Sequence, residues 1–213
     1  MSGIPTKEEM LSALSQRVGA DMQSKFQKAA VAVCGLGGLG SNIAISLARA
    51  GVGKLMLIDF DYVDITNLNR QQYKAVQIGR RKTEALAENL REIAPYISLE
   101  SFAARLSEEN YPEILSGADI ICEAFDKAEE KSRLVNYVLE NMPGKYLVAA
   151  SGMAGLGVPN KITTRKITEK FYLCGDGEST TDNGESLFAP RVMVCAAHQA
   201  TTVLRIIAEK YEV

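Results

Sequence analysis

The stretch that decides the fold is AAVAVCGLGGLGS, residues 29–41. Its first part, Ala29–Cys34, is an apolar run of strand length, and the glycine-rich segment Gly35–Gly40 follows it. Residues of helical character, Ser41–Ala50, come next, and a second apolar run follows at Lys54–Ile58. Strand, glycine turn, helix and strand in this order predict a βαβ unit.

The same alternation continues along the chain. We predict an α/β fold, Rossmann-like and doubly wound, with a mostly parallel sheet, an N-terminal helical arm over residues 5–28 and a short antiparallel C-terminal extension within 161–173. The remaining predicted helices are Arg80–Ile93, Ala128–Asn141 and a last one from Pro190 to about Tyr211, and the remaining strands are Ile97–Ala103, Ala118–Cys122 and Tyr146–Ala150.

Length and composition exclude several classes of protein. The chain has 213 residues, 46% of them hydrophobic and 23% charged, which is typical of one globular domain rather than a disordered or fibrous chain. The net charge of −2 provides no basic field for a polyanion, so nucleic acid is not expected as the main partner. No apolar run approaches the roughly 20 residues of a membrane span, and the N-terminus lacks a signal-peptide pattern, so we expect a cytoplasmic protein.

The glycine cluster lies where a nucleotide fingerprint requires it, after a strand and before a helix. Glycines at 35, 37, 38 and 40 allow a tight turn and the approach of phosphate oxygens, and the helix N-terminus attracts the anion. Asp59, after the second strand, is placed to hydrogen-bond a ribose hydroxyl. The alternative is that the glycines serve only close packing of helix against strand.

The segment DFDYVDITNLNRQ, residues 59–71, distinguishes between nucleotides. A dinucleotide dehydrogenase needs an apolar nicotinamide pocket and has no use for so many polar groups directly after the second strand. Acid, amide and guanidinium groups at the carboxyl ends of parallel strands instead suit ribose, metal and polyphosphate together. An NAD-dependent oxidoreductase therefore remains only as the alternative reading.

At these residues the chain resembles the E1-like adenylating enzymes of the ThiF and MoeB type. The resemblance rests on GxGGxG at Gly35–Gly40, DxDxVxxxNLxRQ at Asp59–Gln71, Lys82 in the following helix and Asp126 after the fourth strand. These motifs recur in the family's order over residues 17–150. The compact size is most similar to short members that act on the sulfur carrier ThiS in thiamine thiazole synthesis.

The resemblance implies a reaction and a set of residue roles. In the family, the C-terminal glycine carboxylate of a ubiquitin-like carrier attacks the α-phosphate of ATP, which gives an acyl-adenylate and pyrophosphate. Such a carboxylate is already ionised at neutral pH, so no general base is required. The implied roles are ribose binding by Asp59, nucleotide or phosphate contacts by Gly38, Asn67, Arg70, Gln71 and Lys82, support by Asp61, and magnesium binding by Asp126.

Three further residues lie outside the nucleotide motifs. Family members place an arginine from the N-terminal arm in the partner subunit's site, so Arg17 is a candidate catalytic residue alongside Arg70, Lys82 and Asp126, or else an ordinary surface arginine. Some family members use a cysteine of the crossover loop for sulfur chemistry, so the resemblance implies a covalent role for Cys174, beside the polar loop 175–189, as one reading. The other reading is no covalent role, since Asp176 and Glu178 would raise the pKa of the thiol. His198 is expected to pack or hydrogen-bond within the last helix.

The remaining expectations concern partners and the C-terminal half. We expect one ThiF-type domain over 1–213, with a helical arm (1–28), an ATP-binding core (29–150) and a carrier-binding region (151–213). The glycine-rich turn Ser151–Gly157 is the predicted channel for a Gly-Gly tail. The four cysteines form no CxxC motif, so no structural zinc is expected. The resemblance implies ATP and Mg²⁺ as ligands and a homodimer as the assembly. The implied substrate is a ThiS-like carrier, a MoaD-like carrier or a peptide. The remaining alternative is a non-catalytic E1-like binding subunit.

Overall fold

The computed structural model describes residues 3–213 and contains one seven-stranded sheet with the order β3-β2-β1-β4-β5-β7-β6. Six strands are parallel to one another and only β6 is antiparallel. The strands are β1 (Ala30–Cys34), β2 (Lys54–Ile58), β3 (Ser98–Phe102), β4 (Ile120–Glu123), β5 (Tyr146–Ala150), β6 (Thr163–Lys166) and β7 (Phe171–Gly175).

Helices cover both faces of the sheet, as the doubly wound prediction requires. The helices are α1 (Lys7–Val18), α2 (Ala20–Lys28), α3 (Gly38–Ala50), α4 (Lys82–Ile93), α5 (Tyr111–Leu115), α6 (Ala128–Asn141) and α7 (Ala189–Ile207). Alternate strand residues enter two separate cores, since neighbouring side chains of a strand point to opposite faces. Val31 and Val33 belong to the core with α3, α4 and α7, whereas Ala32 and Cys34 belong to the core with α5 and α6.

The strand order reverses between β1 and β4. β1 is hydrogen-bonded to β2 on one side and to β4 on the other, so the connections leave β1 and β4 in opposite directions across the sheet. In open α/β sheets, ligands bind at such a switch point, beyond the carboxyl ends of the strands. The glycine turn that follows Cys34 lies at this crevice.

The C-terminal extension differs from its prediction. Only β6 runs antiparallel, whereas β7 pairs in parallel with β5. The chain crosses from β5 to the sheet edge, forms β6 there and returns by a hairpin, so the returning strand has the direction of β5. The short helix α5 was not predicted, because its five residues give too little helical periodicity.

The N-terminal arm forms two helices and packs on the amino-terminal edge of the sheet. Leu14 of α1 lies against Gly51, which precedes β2, and the Tyr96 hydroxyl before β3 donates to the Pro5 carbonyl at 2.9 Å. Arg17 is exposed in the last turn of α1. Within residues 3–213, no helix combines the length and apolar character needed to cross a membrane.

Candidate nucleotide site

The glycines of the turn have two different roles. A Cβ atom on Gly40 would lie 1.8 Å from the Gly35 carbonyl oxygen, and one on Gly35, whose φ is +92°, would lie 2.8 Å from the Ala124 carbonyl oxygen. These two glycines are therefore required by the close contact of β1, α3 and the β4 end. A Cβ on Gly37 would meet only the Gln71 amide nitrogen, at 3.8 Å. The space beside Gly37 is therefore open to a ligand.

Helix α3 begins at this open space without a cap from any side chain. Gly37 is the N-cap residue, and the first turn contains no acidic residue. The first-turn N–H groups of an α-helix have no partner within the helix, and the helix dipole adds partial positive charge there. An uncapped start facing an open crevice is suited to a phosphate group.

Asp59 lies directly after β2 and is only 9% exposed. Its carboxylate accepts hydrogen bonds from the backbone N–H groups of Leu36 and Asp61, both at 2.7 Å, which ties the β2 end to the glycine turn. Burial raises the pKa of Asp59, while Lys82 and these backbone donors oppose the rise. The side chain is thus fixed at the β1–β2 edge, where the resemblance places a ribose-binding acid.

Lys82 is the first residue of α4 and is 6% exposed, so it is not an ordinary solvated lysine. Its Nζ lies 3.1 Å from the Asp61 carboxylate and 4.0 Å from that of Asp59. The Asp61 side chain is half exposed, so this partner is the one nearer solvent. The ammonium group is thus held at the carboxyl edge of the sheet by two acids.

The loop 65–79 is held against α3 and α4 by side-chain amides that the sequence analysis did not single out. Asn42 of α3 donates to the Gly38 carbonyl at 2.7 Å and to the Arg70 carbonyl at 3.3 Å, and Gln72 donates to the Asn42 side chain at 2.7 Å. Asn89 of α4 donates to the Gln72 carbonyl at 2.9 Å. These hydrogen bonds fix the backbone that carries the polar side chains of loop 65–79.

Three predicted residues of this loop have different surroundings. The Arg70 side chain crosses Gly38, with its Cγ 3.4 Å from the Cβ position of that glycine, and its guanidinium donates to the Thr66 carbonyl at 3.2 Å and to Asn69 at 2.8 Å. Gln71 is buried, and its side-chain oxygen has no hydrogen-bond partner within residues 3–213. The Asn67 side-chain oxygen instead accepts from the Asp64 N–H at 3.1 Å. That oxygen has a local capping function, which the resemblance did not indicate.

Asp126 is exposed and lies three residues after the end of β4. The two residues before Asp126 contact the glycine turn. A Cβ atom on Gly35 would lie 2.8 Å from the Ala124 carbonyl oxygen and 3.0 Å from the Phe125 ring. Asp126 therefore lies on the β4 side of the switch point, with Asp59 and Lys82 on the β2 side.

A buried acid, Glu123, fixes the start of that segment and was missed by the sequence analysis. It is fully buried, accepts from the Phe125 N–H at 2.7 Å and pairs with Lys131 of α6. Burial raises the pKa of Glu123, and the Lys131 ammonium opposes this. The Gln199 amide of α7 also donates to the Glu123 carbonyl at 3.0 Å. A glutamate at the end of an apolar strand followed eight residues later by a lysine was the only available signal.

The donors present fit a magnesium ion shared with phosphate better than a metal held by protein alone. No group of three or more His, Cys, Asp and Glu residues suited to a metal occurs within residues 3–213. Mg²⁺ commonly uses one or two carboxylates together with substrate phosphates and water. The exposed Asp126 carboxylate is available as one ligand of this kind.

Two residues expected near the chemistry lie elsewhere. Arg17 is at the amino-terminal edge of the sheet, so it does not reach the crevice of its own chain. Cys174 is the second-last residue of β7, is fully buried, and has its thiol near Thr164 and Thr202. Burial raises its pKa, so the expectation of an accessible thiolate is wrong.

The surroundings of His198 and of the other three cysteines indicate structural roles. The His198 ring Nδ1 lies 3.0 Å from the Thr164 hydroxyl of β6, so the residue links α7 to the sheet rather than bonding within its helix. Cys34, Cys122 and Cys195 are each buried in the cores, as expected.

The glycine-rich turn after β5 is packed rather than open at two of its glycines. A Cβ on Gly152 would lie 2.0 Å from the Asp176 carboxylate, and one on Gly155 would lie 2.7 Å from that of Glu185. Both glycines have positive φ, +85° and +72°. The side-chain space of these residues is therefore filled by the loop 176–188, so a tail channel formed by their missing side chains is not present in this arrangement.

Comparisons with known proteins bear on the family and the fold of the chain. Residues 11–213 match the ThiF family. The chain is 30% identical over 154 residues to the tRNA threonylcarbamoyladenosine dehydratase of Haemophilus influenzae, covering 71% of this chain and 59% of that protein. It is 32% identical over 148 residues to the sulfur carrier protein adenylyltransferase of Thermus thermophilus, covering 67% and 49%. The chain thus spans about half to three fifths of the length of these curated relatives.

A solved structure shows the same fold over almost the whole chain. The Escherichia coli tRNA N6-threonylcarbamoyladenosine dehydratase TcdA, crystallised with ATP, superposes with a TM-score of 0.85 at 22% identity and covers 98% of each chain. At this identity the superposition establishes the fold alone. The family match extends over nearly the whole length and includes every motif on which the resemblance rests. The chain is a member of the ThiF family.

Proposed function

We propose that this protein is a nucleotidyltransferase that uses ATP to adenylate the C-terminal glycine carboxylate of a ubiquitin-like sulfur carrier, with release of pyrophosphate. One observation carries the proposal: the uncapped start of α3, the buried Lys82 with its acidic partners and the exposed Asp126 all lie beyond the carboxyl ends of β1, β2 and β4, around the β1–β4 switch point. The name of the Thermus thermophilus relative supports the activity.

The chemistry needs positioning and charge neutralisation rather than a base. A carboxylate oxygen of the carrier forms a bond to the α-phosphorus of ATP, and the bond from that phosphorus to the bridging oxygen breaks with its electron pair remaining on pyrophosphate. Because the nucleophile is already ionised, the barrier comes from bringing an anion to a polyanion. The α3 N-terminus, Arg70 and Lys82 are the donors that offset this repulsion.

Lys82 must change partners for this role. In the structure its ammonium is satisfied by Asp61 and Asp59. An incoming phosphate would replace the half-exposed Asp61 contact, while Asp59, tied to Leu36 and Asp61 by backbone N–H groups, stays in place for the ribose. Mg²⁺, when held by Asp126 and phosphate oxygens, supplies shielding of the phosphate charge.

The carrier is proposed to be of the ThiS type used in thiamine thiazole synthesis, on the basis of the resemblance to short ThiF-type proteins. A MoaD-like carrier or a short peptide would present the same C-terminal carboxylate to the same crevice. We further propose that residues 151–213 contact the carrier and that residues 29–150 bind ATP. In a homodimer, Arg17 of one chain would enter the other chain's crevice, which is consistent with its exposed position.

A tRNA-linked carboxylate is the second candidate substrate. It is favoured by the match to the tRNA threonylcarbamoyladenosine dehydratase, which covers 71% of this chain. The net charge of −2 argues against a surface built for a polyanion of that size.

Mass spectrometry of the reaction products distinguishes these substrates. The protein is incubated with ATP and Mg²⁺ and, separately, with ThiS-type and MoaD-type carriers ending in Gly-Gly, a Gly-Gly peptide and bulk tRNA. The proposal predicts a carrier whose mass increases by one adenylyl group, with stoichiometric pyrophosphate. ATP consumption only with tRNA would instead establish the second candidate.

A further inference from the structure

We propose that Arg191 and Asp176 are positioning residues that hold the loop 151–158 in the shape that receives the carrier's C-terminal tail. This inference rests on the proposed function. Both side chains are almost completely buried, at 6% and 5% exposed, and their guanidinium and carboxylate form an ion pair 2.5 Å apart. Neither residue belongs to the motifs of the nucleotide crevice.

Arg191 uses its donors on backbone carbonyls of one loop. Its Nε donates to the Ala154 carbonyl at 3.0 Å, and Nη1 donates to those of Gly157 and Val158 at 2.6 and 3.2 Å. Nη2 donates to Asp176. Four of the five N–H groups of the guanidinium are thus occupied, so the residue supports the loop rather than binding phosphate.

Asp176 connects the same loop to the next one. Its carboxylate accepts from the N–H groups of Glu178 and Ser179 at 2.9 and 2.8 Å and from the Ser179 hydroxyl at 2.8 Å. That hydroxyl accepts in turn from the Ala154 N–H at 3.0 Å. The pair therefore fixes loops 151–158 and 176–179 as one unit, which we call the braced loops.

The braced loops lie next to the nucleotide crevice. Loop 151–158 leaves the carboxyl end of β5, at the same sheet edge as the glycine turn. Val192, which follows Arg191, has its Cγ1 3.0 Å from the Cβ position of Gly38 at the start of α3. A tail that reaches the α-phosphate from this side would pass along the backbone of loop 151–158. A shift of that backbone would change the approach of the carboxylate without altering the ATP contacts.

The geometry requires an arginine. A lysine ammonium is a single nitrogen on a flexible stem, whereas the planar guanidinium directs separate N–H groups at three carbonyls and a carboxylate together. Three of the four partners are uncharged carbonyls. Replacing both members of the ion pair by uncharged residues would therefore still remove the hydrogen bonds from Arg191 to the loop carbonyls.

Steady-state kinetics of four variants tests the inference. Arg191→Met removes the brace and leaves Asp176 buried without its cation. Arg191→Met with Asp176→Asn removes that uncompensated charge, which should recover stability. Arg191→Lys keeps the charge, and Arg205→Met, which removes an arginine that holds a carbonyl at the other end of α7, is the matched control. A purified ThiS-type carrier that the wild-type protein adenylates is the probe, with KM measured separately for carrier and ATP and Tm measured for each variant.

The expected result is a change in KM for the carrier without a matching change in KM for ATP. Carrier KM should rise about tenfold or more in both Arg191→Met variants and in Arg191→Lys, because a displaced loop backbone no longer fits the bound tail. ATP KM should stay near the wild-type value, and the double variant should recover Tm but not carrier KM. A wild-type carrier KM in the double variant, or equal rises for carrier and ATP, would overturn the inference. If the wild-type protein adenylates no carrier, the proposed function itself fails.

Discussion

The nucleotide crevice and the braced loops both concentrate polar residues at the carboxyl edge of the sheet, but in the part of the chain that the structure describes only the crevice leaves some of its polar groups without protein partners. In the crevice, α3 starts without a cap, the buried Gln71 oxygen has no partner within residues 3–213, and Asp126 is exposed. In the braced loops, Arg191 and Asp176 are buried and satisfied by protein groups. The proposed function assigns the first set of groups to a ligand, whereas the second set fixes the backbone of two loops.

Among the variants that test this difference between the two regions, Asp126→Ala should lose the most activity. Because Asp126 is exposed, Asp126→Ala should leave Tm unchanged while carrier-dependent exchange of labelled pyrophosphate into ATP falls below detection. Glu129→Ala, which removes another exposed acid just beyond it, is the control and should retain activity. Near-normal exchange in Asp126→Ala would remove this residue from the mechanism and weaken the distinction between the two regions.

Arg70 and Lys82 should show the next largest effect. Arg70→Ala and Lys82→Ala are each expected to lower the adenylation rate by roughly two to three decades, the loss typical of one preorganised donor to a developing charge. Lys74→Ala removes a lysine of the same segment whose partner is Glu92, and should have little effect. The rates are measured in single turnover, and unchanged rates for both arginine and lysine variants would place the phosphates elsewhere.

The two kinds of glycine allow a test within the crevice itself. Gly40→Ala should cost about 1–3 kcal/mol of unfolding free energy, because its Cβ would meet the Gly35 carbonyl. Gly37→Ala places a methyl group in the open space, so it should retain most of the stability and lose affinity for ATP. Urea unfolding and calorimetric titration with ATP measure the two quantities. Equal ATP affinity in Gly37→Ala and the wild type would show that the space beside Gly37 does not hold the nucleotide.

The smallest effect is expected from the pH dependence of the braced loops. Although burial acts to raise the pKa of Asp176, hydrogen bonds from Ser179, Glu178 and Arg191 lower it to about 2. The charged form is therefore favoured by folding, and the stabilisation is complete above pH ~4 and lost as pH falls toward ~2. Asp176→Asn should thus destabilise the protein by roughly 1–2 kcal/mol near neutral pH and by less at low pH. A difference from wild type that does not shrink on acidification would contradict this account.

Much of the sheet and the first half of the site were predictable from local patterns. The apolar runs, the glycine turn and Asp59 follow one another within about 30 residues, so their order in sequence fixes their proximity at one sheet edge. The direction of β7 was not predictable, because it depends on where the chain reaches the sheet edge before β6.

The remaining contacts could not be predicted because they join distant segments. Arg191 reaches the Ala154 carbonyl 37 residues away, and Gln199 reaches the Glu123 carbonyl 76 residues away. Neither has a spacing that a sequence pattern records. Cys174 was misplaced for a related reason: β7 extends two residues beyond its predicted end at Leu173, which moves the thiol from a loop into the core.

Ligand-dependent thermal stability distinguishes an ATP site from an NAD site, since a ligand that binds only the folded state raises Tm. The wild-type protein is heated with ATP and Mg²⁺ and, separately, with NAD, and Gly37→Ala is heated under the same conditions. We expect a rise in Tm with ATP and Mg²⁺, a much smaller rise in Gly37→Ala, and none with NAD. Stabilisation by NAD and not by ATP would rule out the proposed ATP site.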